Sequence, residues 1–532
     1  MSGNSHKNSF SHSLIFFIIV NNLTKQLPFF PILTLAIIQS MFYKCILLFS
    51  IFILSTLQLK TKKNQPPVSE AQTTVNDLKI YLDQLQNDPE MKGSLVSFYL
   101  TSSDKKEALM DYNGDLGMAT ASTMKAITTA TGYEVLGADF KFETNIEYDG
   151  VLASDGTLNG NVYIRGGGDP TLGSDNMPSL MDFFANRIIE KGIRKINGAV
   201  IGDATIFETQ MTPDSWTWDD MGNYYGAGAS GLCINENQYR LFFKTGVNEG
   251  DPTTVTGMEP KIPGINFKNE ILTGKKRSGD NAYIYGGEYS YERNVRGTLP
   301  PNYKDFMIKG SIPDPALFCA DRLKFALEAK NITVSQPATT CRISGKSDQN
   351  RIKIYSQHSA PYSEIIKETN FESVNLFAEA IFRMIGYKLK GEGSNSKAEE
   401  AIKEFWETKG VDMSGVFLED GSGLSRFNLI STKQMTEILK LTYQNDEEKF
   451  YYYSLPLVGK YGTVKYMGKG TAADGRIRSK SGYIKRVRGY TGYVNTLSGK
   501  KLIFSVLINN YSKSYRDLTK DFEKLMDLMA RL

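Results

Sequence analysis

Ala121-Ser122-Thr123-Met124-Lys125 sets a hydroxyl and an amine three residues apart at the head of an apolar helical run through Met124, Ile127 and Tyr133. If Ser122 opens a helix, Lys125 lies one turn further along the same face, within reach of the serine oxygen. A lysine withdrawn from water, or set beside another cation, loses part of its basicity. It can then accept the proton of an attacking hydroxyl, as a histidine does in other hydrolases. Alone, the Ser-x-x-Lys spacing carries little, because Ser102 with Lys105, Ser394 with Lys397 and Ser498 with Lys501 repeat it.

Two later segments change its weight. Ser373-Val374-Asn375 precedes Leu376, Phe377 and Ala378 and opens a second apolar helix, where a hydroxyl and an amide would face a cleft. Lys480-Ser481-Gly482 lies in an alternating stretch followed by the strand-like Gly489-Tyr490-Thr491-Gly492-Tyr493-Val494. Serine-lysine, then serine-x-asparagine, then lysine-serine-glycine on a late strand is the ordered trio described for penicillin-binding proteins and serine β-lactamases. Lys244-Thr245-Gly246 matches the third member more literally but precedes Ser373, so it reads as the end of a strand elsewhere. Gly226-Ala227-Gly228-Ala229-Ser230-Gly231 fits a dinucleotide fingerprint on paper, yet Leu232 to Lys244 alternates like strands and opens no phosphate-cradling helix.

Outward from the trio, the two ends of the body mirror each other. Val75, Leu78, Leu82 and Leu85 recur at helical spacing, and Ser94 to Thr101 and Glu107 to Tyr112 flank Ser103-Asp104-Lys105 as a hairpin. Tyr490 to Asn495 and Lys501 to Asn509 form a second hairpin, and Leu518, Phe522, Leu525 and Met529 close the chain with an amphipathic helix. Both ends can therefore share one antiparallel sheet covered by helices. The middle, about 150 to 350, is richer in Gly, Asn, Asp and Tyr and reads as separate β-rich modules.

A net charge of +4 from 62 basic and 58 acidic residues in a chain of 532 gives no polyanion field, so nucleic-acid binding has no support. Only His358 of the three histidines belongs to the body, which excludes a multi-histidine metal site and leaves no cofactor or metal to expect. It has no nucleophile motif beside it and reads as structural. The leader holds three apolar runs, each shorter than a membrane span. The last of them, Cys45 to Leu57 after Lys44, reads as the apolar region of an export signal if Met41 is the true start. An uncleaved anchor giving weak membrane association is the other reading, and the body is exported and periplasmic on both. Cys319 and Cys341 either pair or stay as buried thiols, and spacing does not decide between them.

With Arg165 to Leu172, Gly310 to Ala316, His358 to Lys367 and Asp420 to Arg426 added to the trio, the chain from about residue 72 onward resembles the class C low-molecular-mass penicillin-binding proteins, D-alanyl-D-alanine carboxypeptidases with endopeptidase activity. The resemblance implies an α+β, β-lactamase/transpeptidase-like catalytic domain with two nested β-rich inserted domains. The expected divisions are a leader at 1–65, the catalytic domain at 66–145 and 357–532, insert II at 146–172 and 250–356, and insert III at 173–249. Ser122 would acylate, Lys125 would be its base, and Ser373 would relay a proton with Lys480 nearby. Asn375 would hold the substrate amide, and Lys480 and Ser481 the terminal carboxylate. The backbone N–H groups of Ser122 and Tyr483, beside Gly482, would form the oxyanion hole. Serine at 481 in place of the usual threonine keeps the hydroxyl, whereas Tyr483 to Arg488 is bulkier and more basic than is typical. The implied partners are peptidoglycan pentapeptides or cross-linked muropeptides, with β-lactams as covalent inhibitors. A serine β-lactamase is the alternative, against which stands the lack of a Glu-x-x-Leu-Asn segment after Ser373. A catalytically silent wall-binding scaffold is the other, against which stand Ser122, Lys125, Ser373 and Lys480 themselves.

Overall fold

The computed structural model describes residues 74–105, 107–174, 177–346 and 350–532, so the expectations for the leader fall outside it. Thr74 opens helix α1 (Val75–Gln86) with a capping box: its hydroxyl accepts from the Asp77 N–H, and the Asp77 carboxylate accepts from the Thr74 N–H. Leu78, Leu82 and Leu85 form the buried stripe of α1. Strands β1 (Leu95–Ser102) and β2 (Ala108–Tyr112) make the first hairpin. After helix α2 (Met124–Leu136) the chain leaves this region, and it returns with helices α3 (Tyr362–Phe371), α4 (Asn375–Lys390) and α5 (Thr432–Asn445). Strands β3 (Ile477–Ile484), β4 (Val487–Asn495) and β5 (Lys501–Asn509) and helix α6 (Tyr515–Ala530) complete it.

The two ends do share a sheet. Its order is β2-β1-β5-β4-β3, antiparallel throughout, with Leu95 opposite Asn509 and Ser102 opposite Leu502. Strand alternation assigns the two faces. Val96, Phe98, Leu100, Phe504, Val506 and Ile508 pack under α1 and α6, against Leu518, Phe522 and Leu525. Each fully buried Leu or Phe of this kind contributes about 2–3 kcal/mol. The opposite face meets α2 and α5 through Ile503 and Leu507 and a buried hydroxyl seam. In that seam Ser97 and Thr432 oxygens lie 2.7 Å apart, Thr491 and Ser505 2.6 Å, and the Thr436 hydroxyl donates to Ser505 at 2.9 Å.

Between α2 and α3 the chain builds sheets of its own over a separate apolar cluster. Strand Glu143–Tyr148 pairs with Ile352–His358, so the outgoing and returning segments lie side by side. The same five-stranded sheet takes in Val162–Arg165, Val200–Asp203 and Thr339–Thr340. Two three-stranded sheets draw all their strands from residues 238–311: Gln238–Lys244 with Thr254–Glu259 and Phe306–Ser311, and Glu292–Leu299 with Asn266–Thr273 and Asn281–Tyr285. The inner segment expected at 173–249 therefore does not follow the hydrogen bonding. Its strand Val200–Asp203 pairs outward with Val162–Arg165, while Gln238–Lys244 crosses the 249/250 boundary to pair inward. Lys244 ends a strand, as read from sequence, and Cys233, Cys319 and Cys341 are all free buried thiols.

Candidate active site

Ser122 sits on the single 3₁₀ turn Ala121–Thr123 that leads into α2, and Ala121 before it is held at φ +45°. Left-handed backbone at a non-glycine residue costs on the order of 1–3 kcal/mol and persists only where its surroundings impose it. Here they do. Glycine lets two neighbours close on the turn: a Cβ at Gly423 would lie 1.8 Å from the Ala121 carbonyl oxygen, and one at Gly482 would lie 2.7 Å from the Thr123 nitrogen. The loop 420–425 and strand β3 thus press on the serine from two sides.

Lys125, on the first turn of α2, is fully buried. Its Nζ donates to Asn375 Oδ1 at 2.6 Å and to the Ser422 carbonyl at 2.8 Å, and it lies 3.0 Å from Ser122 Oγ. Burial pulls its pKa down from 10.5 to about 7, against the opposing charges of Asp420 and Glu379. A neutral amine has two N–H donors and one lone pair. Two of its three partners are carbonyl oxygens that only accept, so both protons go to them and the lone pair is left facing the Ser122 hydroxyl.

Ser373, in the turn between α3 and α4, is also left-handed, at φ +60°. Lys480 on β3 donates to Ser373 Oγ at 2.9 Å and to the Ser481 carbonyl at 2.8 Å. Burial, with Lys125 as a second cation, drives the Lys480 pKa well below the ordinary lysine value. Asn375 begins α4 and is committed at both ends: Oδ1 accepts from Lys125, and Nδ2 donates to the Tyr225 carbonyl at 2.7 Å. Gly482 lies under the serine turn, and the Ser481 hydroxyl lies 2.7 Å from Thr463 Oγ1. The Tyr483 ring is exposed and packs edge-on against Tyr515 at 5.3 Å. Ser122, Lys125 and Asn375 thus belong to one hydrogen-bonded group, and Ser373 and Lys480 to a second, Lys480 standing on the strand whose Gly482 lies against the serine turn. His358 belongs to neither: it ends strand Ile352–His358 with its side chain exposed.

Sequence reasoning missed the layer beneath. Glu379 and Arg383 follow Asn375 at four-residue steps on α4, and both are buried. That spacing, two charges on one face of an otherwise apolar helix, was the available signal. Glu379 accepts from the Ser422 N–H at 2.8 Å and the Gly421 N–H at 3.2 Å, fixing the loop whose carbonyl holds Lys125. Burial and the nearby Asp420 charge push Glu379 up from the usual carboxylate range. Asp420 accepts from Gly423 and Ser425 N–H (both 2.6 Å), Asn428 Nδ2 (2.7 Å) and Trp216 Nε1 (2.8 Å). Trp216 and Tyr225 belong to the middle of the chain, and no local spacing links them to residues 375 or 420. Among the described residues, no group of three or more His, Cys, Asp or Glu side chains is set to hold a metal ion.

The D-Ala-D-Ala carboxypeptidase 3 (S13) family matches this chain over residues 78–531. A D-alanyl-D-alanine carboxypeptidase of Actinomadura sp. (strain R39) is 27% identical over 451 residues, covering 82% of each chain. In fold, the chain is similar to penicillin binding protein 4 (dacB) from Haemophilus influenzae, with a TM-score of 0.74 at 22% identity, covering 86% of this chain and 99% of that one. The same Haemophilus protein complexed with a β-lactam aligns at a TM-score of 0.70 and 22% identity over the same shares.

Proposed function

The chain belongs to the D-Ala-D-Ala carboxypeptidase 3 (S13) family and is a serine-type D-Ala-D-Ala carboxypeptidase, and on that premise we propose that Ser122 is its acylating nucleophile, Lys125 its base and Ser373 with Lys480 its proton relay. The observation that carries these roles is the Lys125 amine, held by two acceptor-only carbonyls with its third direction on Ser122 Oγ.

Neutral Lys125 takes the Ser122 proton as Oγ bonds to the carbonyl carbon of the penultimate D-Ala. The resulting oxyanion accepts from the backbone N–H groups of Ser122 and Tyr483, donors whose loss in such sites costs about 3–4 kcal/mol. Collapse breaks the C–N bond, and the proton passes by way of Ser373 Oγ, held by Lys480, to the departing D-Ala amine. Water, deprotonated by the same base, then cleaves the ester and frees Ser122. Lys480 and Ser481 bind the terminal carboxylate. Asn375 keeps Lys125 oriented and binds the substrate amide only by exchanging its Nδ2 bond to Tyr225.

β-Lactams acylate the same Ser122 by breaking their ring C–N bond, so that the amine stays attached to the ester; the Haemophilus relative is known complexed with a β-lactam, in keeping with that reading. Cross-linked muropeptides present the same D-Ala carbonyl, so endopeptidase cleavage is the second activity of the site. The strands of 143–203 and 333–358 form an outer insert, and those of 238–311 an inner one nested within it. The apolar run Cys45 to Leu57 supports export to the periplasm, where this substrate lies. The test is labelling with fluorescent penicillin, alongside release of D-Ala from a muropeptide pentapeptide. Stable labelling that is lost in Ser122→Ala is expected; rapid turnover of the label, or none, overturns the assignment.

A further inference from the structure

The Ser481 hydroxyl has one partner among the described residues, the hydroxyl of Thr463, 2.7 Å away, and Thr463 has no other. Two hydroxyls carry two protons, and the bond between them uses one. The remaining proton has no protein acceptor, and Thr463 is exposed. Two donors this close match the spacing of the two oxygens of a carboxylate, which binds most strongly when both oxygens are engaged.

The threonine is held in place, not loosely presented. Val464 beside it is fully buried in the cluster under the sheet, and Val458 and Ser479 tie the segment to β3 through backbone bonds, Val458 N–H to Ile477 O at 2.9 Å and Ser479 N–H to Pro456 O at 2.8 Å. Tyr461 stacks on Phe371, centroids 6.4 Å apart and planes 24° apart, two residues before Ser373. The segment is thereby braced against both walls of the cleft. Lys465 follows two residues after Thr463, exposed, with its Nζ 5.2 Å from the centre of the Tyr466 ring. Tyr483, the next outward side chain on β3 after Ser481, packs edge-on against Tyr515.

We infer that Thr463 is a further substrate-binding residue, whose hydroxyl joins that of Ser481 in a two-donor clamp on the C-terminal carboxylate of the peptide. The inference rests on the reading of the site given above. With substrate bound, the hydroxyl-to-hydroxyl bond opens and each proton turns to one carboxylate oxygen, while Lys480 stays on Ser373 and the Ser481 carbonyl.

Thr463→Val, Thr463→Ser and Ser481→Ala are compared on an acyl-Lys-D-Ala-D-Ala peptide and on its C-terminal amide, with thermal melting as the control for folding. Thr463→Val is expected to raise KM for the acid about tenfold with kcat changed less than threefold, and to leave turnover of the amide unchanged. Thr463→Ser is expected to restore the acid. A KM within twofold of the parent, or equal losses on acid and amide, overturns the clamp. Fluorescent penicillin is run in parallel on the unaltered enzyme: if it labels Ser122 while Thr463→Val has no effect, only the clamp fails, and if it does not label, the underlying reading fails with it.

Discussion

Acylation should be lost as pH falls through about 7, because the base must be neutral to act. Burial places the Lys125 pKa at about 7 in place of 10.5. That difference corresponds to about 5 kcal/mol of preference for the neutral amine, at about 1.4 kcal/mol per unit. An unperturbed lysine would be neutral in about one molecule in 3,000 at pH 7, whereas here about half the molecules carry the free base. The fold thus supplies roughly a 10³-fold gain in active base at neutral pH. The assay is the second-order rate constant for acylation by benzylpenicillin between pH 5 and 9, read by rapid quench against a fluorescent competitor. The rate should be flat above about pH 8 and fall tenfold per unit below about pH 6, reaching about one-hundredth of the plateau at pH 5. Lys125→Arg, charged throughout this range, should remove the limb and cut the plateau at least 10³-fold. A profile flat from pH 5 to 8, or a limb centred above pH 9, refutes the assignment of Lys125 as the base.

The same shift acts on stability. Lys125 and Lys480 both have folded pKa values below those of the unfolded chain, so between about pH 7 and 10 the unfolded state binds more protons and stability rises with pH. Calorimetry should give a higher Tm at pH 9.5 than at pH 7, with a smaller rise in Lys125→Met. Trp216→Phe removes one of four donors to the buried Asp420 carboxylate. It should cost about 1–3 kcal/mol in chemical denaturation and slow acylation, although Trp216 lies outside the three sequence motifs. Gly482→Ala sets a methyl 2.7 Å from the Thr123 nitrogen and pushes β3 from the serine turn. Penicillin labelling should slow by about 10² while the circular dichroism spectrum stays that of the parent.

What could be read in advance follows from where each signal resides. The short apolar run of Lys501–Asn509 and the 3.6-residue stripe of Leu518, Phe522 and Leu525 are local, so the shared sheet and its covering helix could be anticipated. Ser122 with Lys125, and Ser373 with Asn375, are local too, and their order along the chain carried the remainder. The acceptor that orients Lys125 is a backbone carbonyl at residue 422, an atom every residue possesses. Trp216 and Tyr225 reach the site through the tertiary fold alone, Tyr225 from 150 residues before Asn375. The pairing of Gln238–Lys244 with Thr254–Glu259 is likewise a tertiary fact, since the aromatic first strand and the polar second one share no local pattern. Thr463 escaped notice because its partner, Ser481, is eighteen residues away on another element.

The antiparallel register that sets Leu95 opposite Asn509 also governs timing. A ribosome that has made Ser122 must add 358 residues before Lys480 exists, an interval of roughly 20–70 s at 5–20 residues per second. Throughout it the serine has its lysine but neither Lys480 nor the strand that closes over it, so a nascent or C-terminally clipped chain carries a nucleophile without a site. Reaction with penicillin is therefore a report of completed synthesis: a pulse-labelled culture should show full-length chain before it shows any covalent adduct, and fragments ending before β3 should show none.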